Sequence, residues 1–208
     1  MLAITTNNDQ CSFENTIDTF IQSNELTEAV KFINSHYDKN PERLDGFARI
    51  GGIYREQKDW QTAASWMRRD FEQGRMSPEW QLRYAEVLLE IGKDLQALDL
   101  VKKVYANNPE LTDGYARLGW SMARSIRWND CNALMETDYK YKRLSFKWYL
   151  HYAYALMQLG TYDLSAVLIN KAYSENNTNT ETNLSAETAS EWRKFCEKTR
   201  KSLYFSSK

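Results

Sequence analysis

Asn15, Arg49, Arg83, Arg117 and His151 recur at one constant spacing, which sets three guanidinium groups and an imidazole in register along the chain. A guanidinium is a rigid fork of donors that grips a carboxylate or phosphate through two parallel hydrogen bonds, so a stripe of three arginines predicts an acidic ligand. Each arginine also has a carboxylate one helical turn before it, at Asp45, Glu79 and Asp113. On a helix such pairs contribute only about 0.2–0.5 kcal/mol each, and the same arginine can serve both a helix pair and a ligand. Slightly further along the same register stand Trp120 and Tyr154, and immediately before it stand Leu82 and Leu150. The candidate partner-binding set is therefore Arg49, Arg83, Arg117, Leu82, Trp120, Leu150, His151 and Tyr154.

No catalytic constellation accompanies these residues. His36 and His151 are far apart, and neither has a cysteine or carboxylate at metal-ligand spacing. Both read as helix-surface residues. Cys131 occupies a place where the other windows hold alanine or serine, which points to packing rather than nucleophilic chemistry. Gly51 and Gly52 sit inside a helical pattern with no strand before them, so they do not form a phosphate loop. The sequence predicts a protein that is not an enzyme and that holds no metal or cofactor.

The elements that must position these residues repeat. Asp45-Gly46-Phe47-Ala48-Arg49-Ile50-Gly51 returns further along the chain as Asp113-Gly114-Tyr115-Ala116-Arg117-Leu118-Gly119. The same offset pairs Asp70 with Asp138, Arg75 with Arg143, Ser77 with Ser145, Trp80 with Trp148, Tyr84 with Tyr152 and Gly92 with Gly160. Halving that offset gives five windows without gaps: 10–43, 44–77, 78–111, 112–145 and 146–179. Their eighth position holds Ile17, Gly51, Ala85, Gly119 and Ala153, and their twentieth holds Ala29, Ala63, Ala97, Cys131 and Ser165. Glycine inside a helix costs roughly 1 kcal/mol against alanine, so Gly51 and Gly119 predict helices approaching too closely for a side chain.

The layout resembles the tetratricopeptide repeat, a helix–turn–helix unit of about 34 residues. The family's proline falls on Pro41 and Pro109, its turn glycine on Gly92 and Gly160, and its aromatic entry to the second helix on Trp60, Trp128 and Tyr162. Arg75, Arg143 and Asn177 replace the proline in the other windows, and Thr16-Ile17 departs from the pattern in the first. The resemblance implies an all-α, right-handed α-solenoid of about five repeats, preceded by a flexible stretch at 1–9 and closed by a polar loop and C-terminal capping helix over 180–208. In that last stretch Leu184, Thr188, Trp192, Phe195, Thr199 and Leu203 recur at helical spacing, as a cap over an exposed apolar end requires. One familiar binding mode of the family clamps a chaperone's C-terminal carboxylate with lysines and asparagines on successive first helices. That set is missing here.

Bulk properties narrow the partner. With 27 basic and 28 acidic residues the net charge is −1, which gives no general pull toward nucleic acid or anionic membrane. Residues 1–10 lack a basic segment followed by an apolar run, no stretch approaches the length of a bilayer span, and three widely spaced cysteines suit a reducing compartment. The expectation is a cytoplasmic interaction scaffold whose concave face binds a protein or peptide with acidic and apolar residues. A chaperone or regulatory subunit docked permanently on an enzyme or secretion component is the alternative. Nucleic-acid or glycan binding through the many aromatic residues is a weaker one.

Overall fold

The computed structural model of the chain describes residues 3–176 and residue 194. The described residues contain ten α-helices and no strand. In order they are α1 (Ala3–Gln22), α2 (Leu26–Lys39), α3 (Gly46–Glu56), α4 (Trp60–Glu72), α5 (Pro78–Glu90), α6 (Asp94–Asn107), α7 (Gly114–Arg124), α8 (Trp128–Lys140), α9 (Tyr149–Gln158) and α10 (Tyr162–Asn176). A 3-10 turn, Phe146–Trp148, leads into α9. Each odd helix packs against the even helix that follows it, so each sequence window carries one helical hairpin. Helix α1 starts ahead of the first window, and the capping helix expected over 180–208 falls, apart from residue 194, outside the described residues.

The chain divides into two compact units, Met1–Asn108 and Pro109–Lys208. Part of the first unit's core is Phe13, Ile17, Ile33, Tyr37, Phe47 and Ile50. The second unit's core gathers Cys131, Met135, Tyr152, Leu156, Leu168 and Ile169.

The turn inside every hairpin has one feature in common. Asn24, Lys58, Gly92, Ile126 and Gly160, one to each window, all take the left-handed conformation, with φ of 59°, 62°, 79°, 61° and 74°. Only two are glycine, the residue that enters this region without a steric penalty. The links between hairpins follow the longer period instead. Asp45 and Asp113 share φ 66° and ψ 11° at the starts of α3 and α7, and Gly74 and Lys142 both have positive φ after α4 and α8. The turn within a hairpin therefore repeats every window and the link between hairpins every second one. That alternation accounts for identities that hold best across two windows.

The small residues at the eighth position do the packing expected of them. A Cβ built on Gly51 would lie 2.6 Å from Met67 Cγ and 2.9 Å from the Ala63 carbonyl oxygen. One built on Gly119 would lie 3.0 Å from the Cys131 carbonyl oxygen and 3.2 Å from Met135 Cγ.

Candidate functional site

Most of the residues that recur at the longer offset hold the frame. In the first unit the Asp45 N–H donates to the Arg75 carbonyl at 2.8 Å, and Asp45 Oδ1 accepts from the Ser77 N–H at 2.7 Å. Asp70 is wholly buried; its carboxylate accepts from the Ala48 N–H at 2.7 Å and from the Tyr37 hydroxyl at 2.8 Å. The second unit repeats the arrangement. Asp113 bonds the Arg143 carbonyl through its N–H, and its carboxylate accepts from the Ser145 N–H and hydroxyl, both at 2.7 Å. Buried Asp138 accepts from the Ala116 N–H at 2.8 Å. Each aspartate satisfies backbone donors at a helix start that would otherwise be orphaned, so these carboxylates belong to folding.

The arginine ladder is divided among different tasks. Arg49 does not bridge to Asp45 one turn back; its guanidinium reaches across to α1 and pairs with Glu14 and Asp18, the latter at 3.0 Å. Arg55, absent from the candidate set, pairs with Glu86 of α5 at 2.6 Å. These half-buried pairs tie successive hairpins of the first unit together. Arg83 stacks on the Trp80 ring with its guanidinium carbon 4.4 Å from the centroid, and Arg117 approaches the Trp148 ring at 5.9 Å. Leu82 is only 3% exposed, so its side chain belongs to the packed interior and not to a surface a partner can touch.

Four of the candidate residues converge. Trp120 on α7 and Leu150, His151 and Tyr154 on α9 line an open hollow of about 380 Å3 in the second unit. Trp120 meets His151 edge-on at 4.4 Å between ring centroids, and Tyr154 at 6.3 Å. Trp128 backs Tyr154 at 5.7 Å, and Trp148 backs His151 at 5.0 Å. His151 is thus half-buried between two indoles and is not the plain surface residue its sequence context predicts. Its Nδ1 is buried without a hydrogen-bond partner. Burial pushes the imidazole pKa down, and the backbone carbonyl of Lys147 one turn earlier acts against that shift. Trp148 is a member of this cluster that sequence reasoning assigned only to the repeat; its place ahead of His151 was the available signal.

Other depressions offer less. One of about 630 Å3 in the first unit is lined by Glu14, Arg43, Asp45, Glu79 and Trp80 among others, but Glu14 and Asp45 are engaged by Arg49 and Ser77. Cys131 is buried, and burial pushes its thiol up to about 12, far from a reactive thiolate. Among the described residues no group of three His, Cys, Asp or Glu side chains could hold a metal ion, and no helix is long and apolar enough to cross a membrane.

The chain matches no family model, and no curated protein matches it in sequence. Its structure is similar to the C-terminal part of a TPR repeat-containing protein from Cytophaga hutchinsonii, with a TM-score of 0.63 over 90% of this chain and 71% of that one at 15% identity. The fold is that of the tetratricopeptide repeat. This tetratricopeptide fold is also similar to MamA from Desulfovibrio magneticus RS-1, with a TM-score of 0.55, 15% identity and coverage of 82% of this chain and 96% of that one. It is similar to YrrB as well, described as a TPR protein with an unusual peptide-binding site, with a TM-score of 0.52, 12% identity and coverage of 88% and 90%. At these identities the likeness establishes the tetratricopeptide architecture, and the reading of function rests on this chain's own residues.

Proposed function

We propose that the chain is a non-catalytic protein-interaction module, and that the hollow formed by Trp120, Leu150, His151 and Tyr154 takes an apolar side chain from an extended or helical segment of a partner protein. The observation that carries the reading is where the two halves of the sequence differ. The frame is kept at Asp45/Asp113, Gly51/Gly119, Asp70/Asp138, Ser77/Ser145 and Trp80/Trp148. The face is not: Gly52, Arg83 and Glu86 of the first unit become Trp120, His151 and Tyr154 in the second. The first unit lines its own hollow of about 370 Å3 with charged side chains, among them Arg83 and Arg55, which pairs with Glu86; the second has His151, Ala123 and Tyr154 at those places, and its hollow is walled by aromatic rings. Aromatic rings give large contact area at small entropic cost, which suits them to anchor a partner.

The test compares proteins captured from the native cell extract by the parent chain, by Trp120→Ala and by Tyr154→Ala, each checked for folding by circular dichroism. Both variants should lose the captured partners, and Arg83→Gln in the other unit should keep them. Folded Trp120→Ala and Tyr154→Ala proteins that retain the full set would overturn the assignment.

A further inference from the structure

The two helices that line the hollow carry no carboxylate. Helix α7 has Arg117 and Arg124 as its charged residues, and α9 has no Asp, Glu, Lys or Arg at all, only His151. The corresponding helices of the first unit carry Glu56 on α3 and Glu79, Glu86 and Glu90 on α5. In the 3-10 turn before α9, Lys147 is held 3.4 Å from the buried carboxylate of Asp113. Helices α8 and α10, which pack against α7 and α9, carry Asp130, Glu136, Asp138 and Lys140, and Asp163, Lys171 and Glu175, respectively. Asp130 is bonded to Arg127, Asp138 to the Ala116 N–H and Glu136 to Lys140, and His151 has no ion pair with any of the described groups. The imidazole therefore stands at the hollow among aromatic rings, with an orphaned Nδ1 and with positive charge as the only charge on the two lining helices.

We propose that the segment docking in this hollow is acidic, that it places an aliphatic side chain against Trp120 and Tyr154 and a carboxylate against His151, and that His151 takes up a proton as it docks. The proposal rests on the reading of the hollow as a binding site and adds the partner's chemistry. In the free protein the neutral ring is favoured, because burial disfavours the charge and no carboxylate is at hand to offset it. A docked carboxylate stabilises the imidazolium, whose two ring N–H groups can donate one to the carboxylate and one to the Lys147 carbonyl. The exchange is balanced: one proton passes from solvent to the ring for each segment bound, and no bond is broken.

The probe is a displayed library of random twelve-residue peptides, selected on the full chain at pH 6. Enriched peptides should pair Leu, Ile or Val with Asp or Glu, and should fail to bind Trp120→Ala. Titration calorimetry of one enriched peptide, in two buffers of different ionisation enthalpy, should show proton uptake and binding at least about threefold tighter at pH 6 than at pH 8. His151→Gln removes the titrating group, so that variant should bind at pH 6 no more tightly than the parent does at pH 8, and should lose both the pH dependence and the buffer dependence. Peptides that need Trp120 but are basic or uncharged, or whose pH dependence survives in His151→Gln, overturn this proposal and leave the hollow as the site. Peptides indifferent to Trp120→Ala, or no enrichment at all, overturn both.

Discussion

Asp70 shows how a residue can be conspicuous in the sequence and still have nothing to do with ligands. It is fully buried and takes hydrogen bonds from Tyr37 and Ala48; burial nevertheless dominates and raises its pKa to about 6. Because the folded value lies above the unfolded one, its contribution to stability is present at low pH and is lost as pH rises through about 6. Asp70→Asn should therefore narrow its stability deficit against the parent, by on the order of 2–3 kcal/mol at most, between pH 4 and pH 7.5. Urea melts at the two pH values measure it, and a deficit that does not change with pH contradicts the account. The two packing glycines make a second prediction. Gly51→Ala forces a methyl group against Met67 and the Ala63 carbonyl and should destabilise by about 1–3 kcal/mol. The looser contact at Gly119 offsets the alanine's helix propensity, so Gly119→Ala should stay within about 1 kcal/mol of the parent. Equal melting midpoints for the two variants would contradict the geometry. The glycines were legible because close packing leaves a mark at fixed spacing. The aspartates were visible only as matching letters, since their bonds join residues 22 to 33 positions apart and no local pattern encodes such a bond.

At the scale of helices and turns, the turn geometry was only partly written in the sequence. Gly92 and Gly160 mark the left-handed turn, but the same conformation is imposed on Ile126, a β-branched residue that is 76% exposed and so has little packing to compensate. Left-handed backbone costs a residue with a Cβ roughly 1–2 kcal/mol. Ile126→Gly should stabilise the chain by about 1 kcal/mol, part of the gain being returned through the greater freedom of glycine when unfolded. Thermal or urea melts decide it, and a loss of stability would mean the turn is held in some other way. Arg49 departs from the expected pairing for a reason of the same kind. Counting one turn back from Arg49 finds Asp45, but Asp45 is occupied in joining the hairpin to Ser77, and the guanidinium turns to Glu14 and Asp18 on α1 instead. Spacing along one helix predicts neighbours on that helix and says nothing of the helix packed beside it.

For the whole molecule, the repeat is the level at which sequence and structure agree most closely. The hairpins, the short turns and the small residues at the helix contacts all follow from a period that can be read from the letters alone. Which face of the repeat does the binding is less legible, because positions on the first helices can be filled by a packed leucine such as Leu82, by an ion pair such as Arg55–Glu86, or by an open aromatic wall. The central claim is that the second unit's hollow is where a partner sits. Of the seven tryptophans, Trp60, Trp66 and Trp80 lie in the first unit and Trp120, Trp128 and Trp148 are in or beside the hollow's walls, so indole N–H signals report on each place separately. The direct measurement is a nitrogen-15 NMR titration of the full chain with peptides selected on it, the indole signals having been assigned by single Trp→Phe substitutions. The account predicts that the Trp120 and Trp148 signals move in step with binding while those of Trp60, Trp66 and Trp80 stay in place. Movement confined to the first unit's indoles, with Trp120 unshifted at saturation, would contradict it.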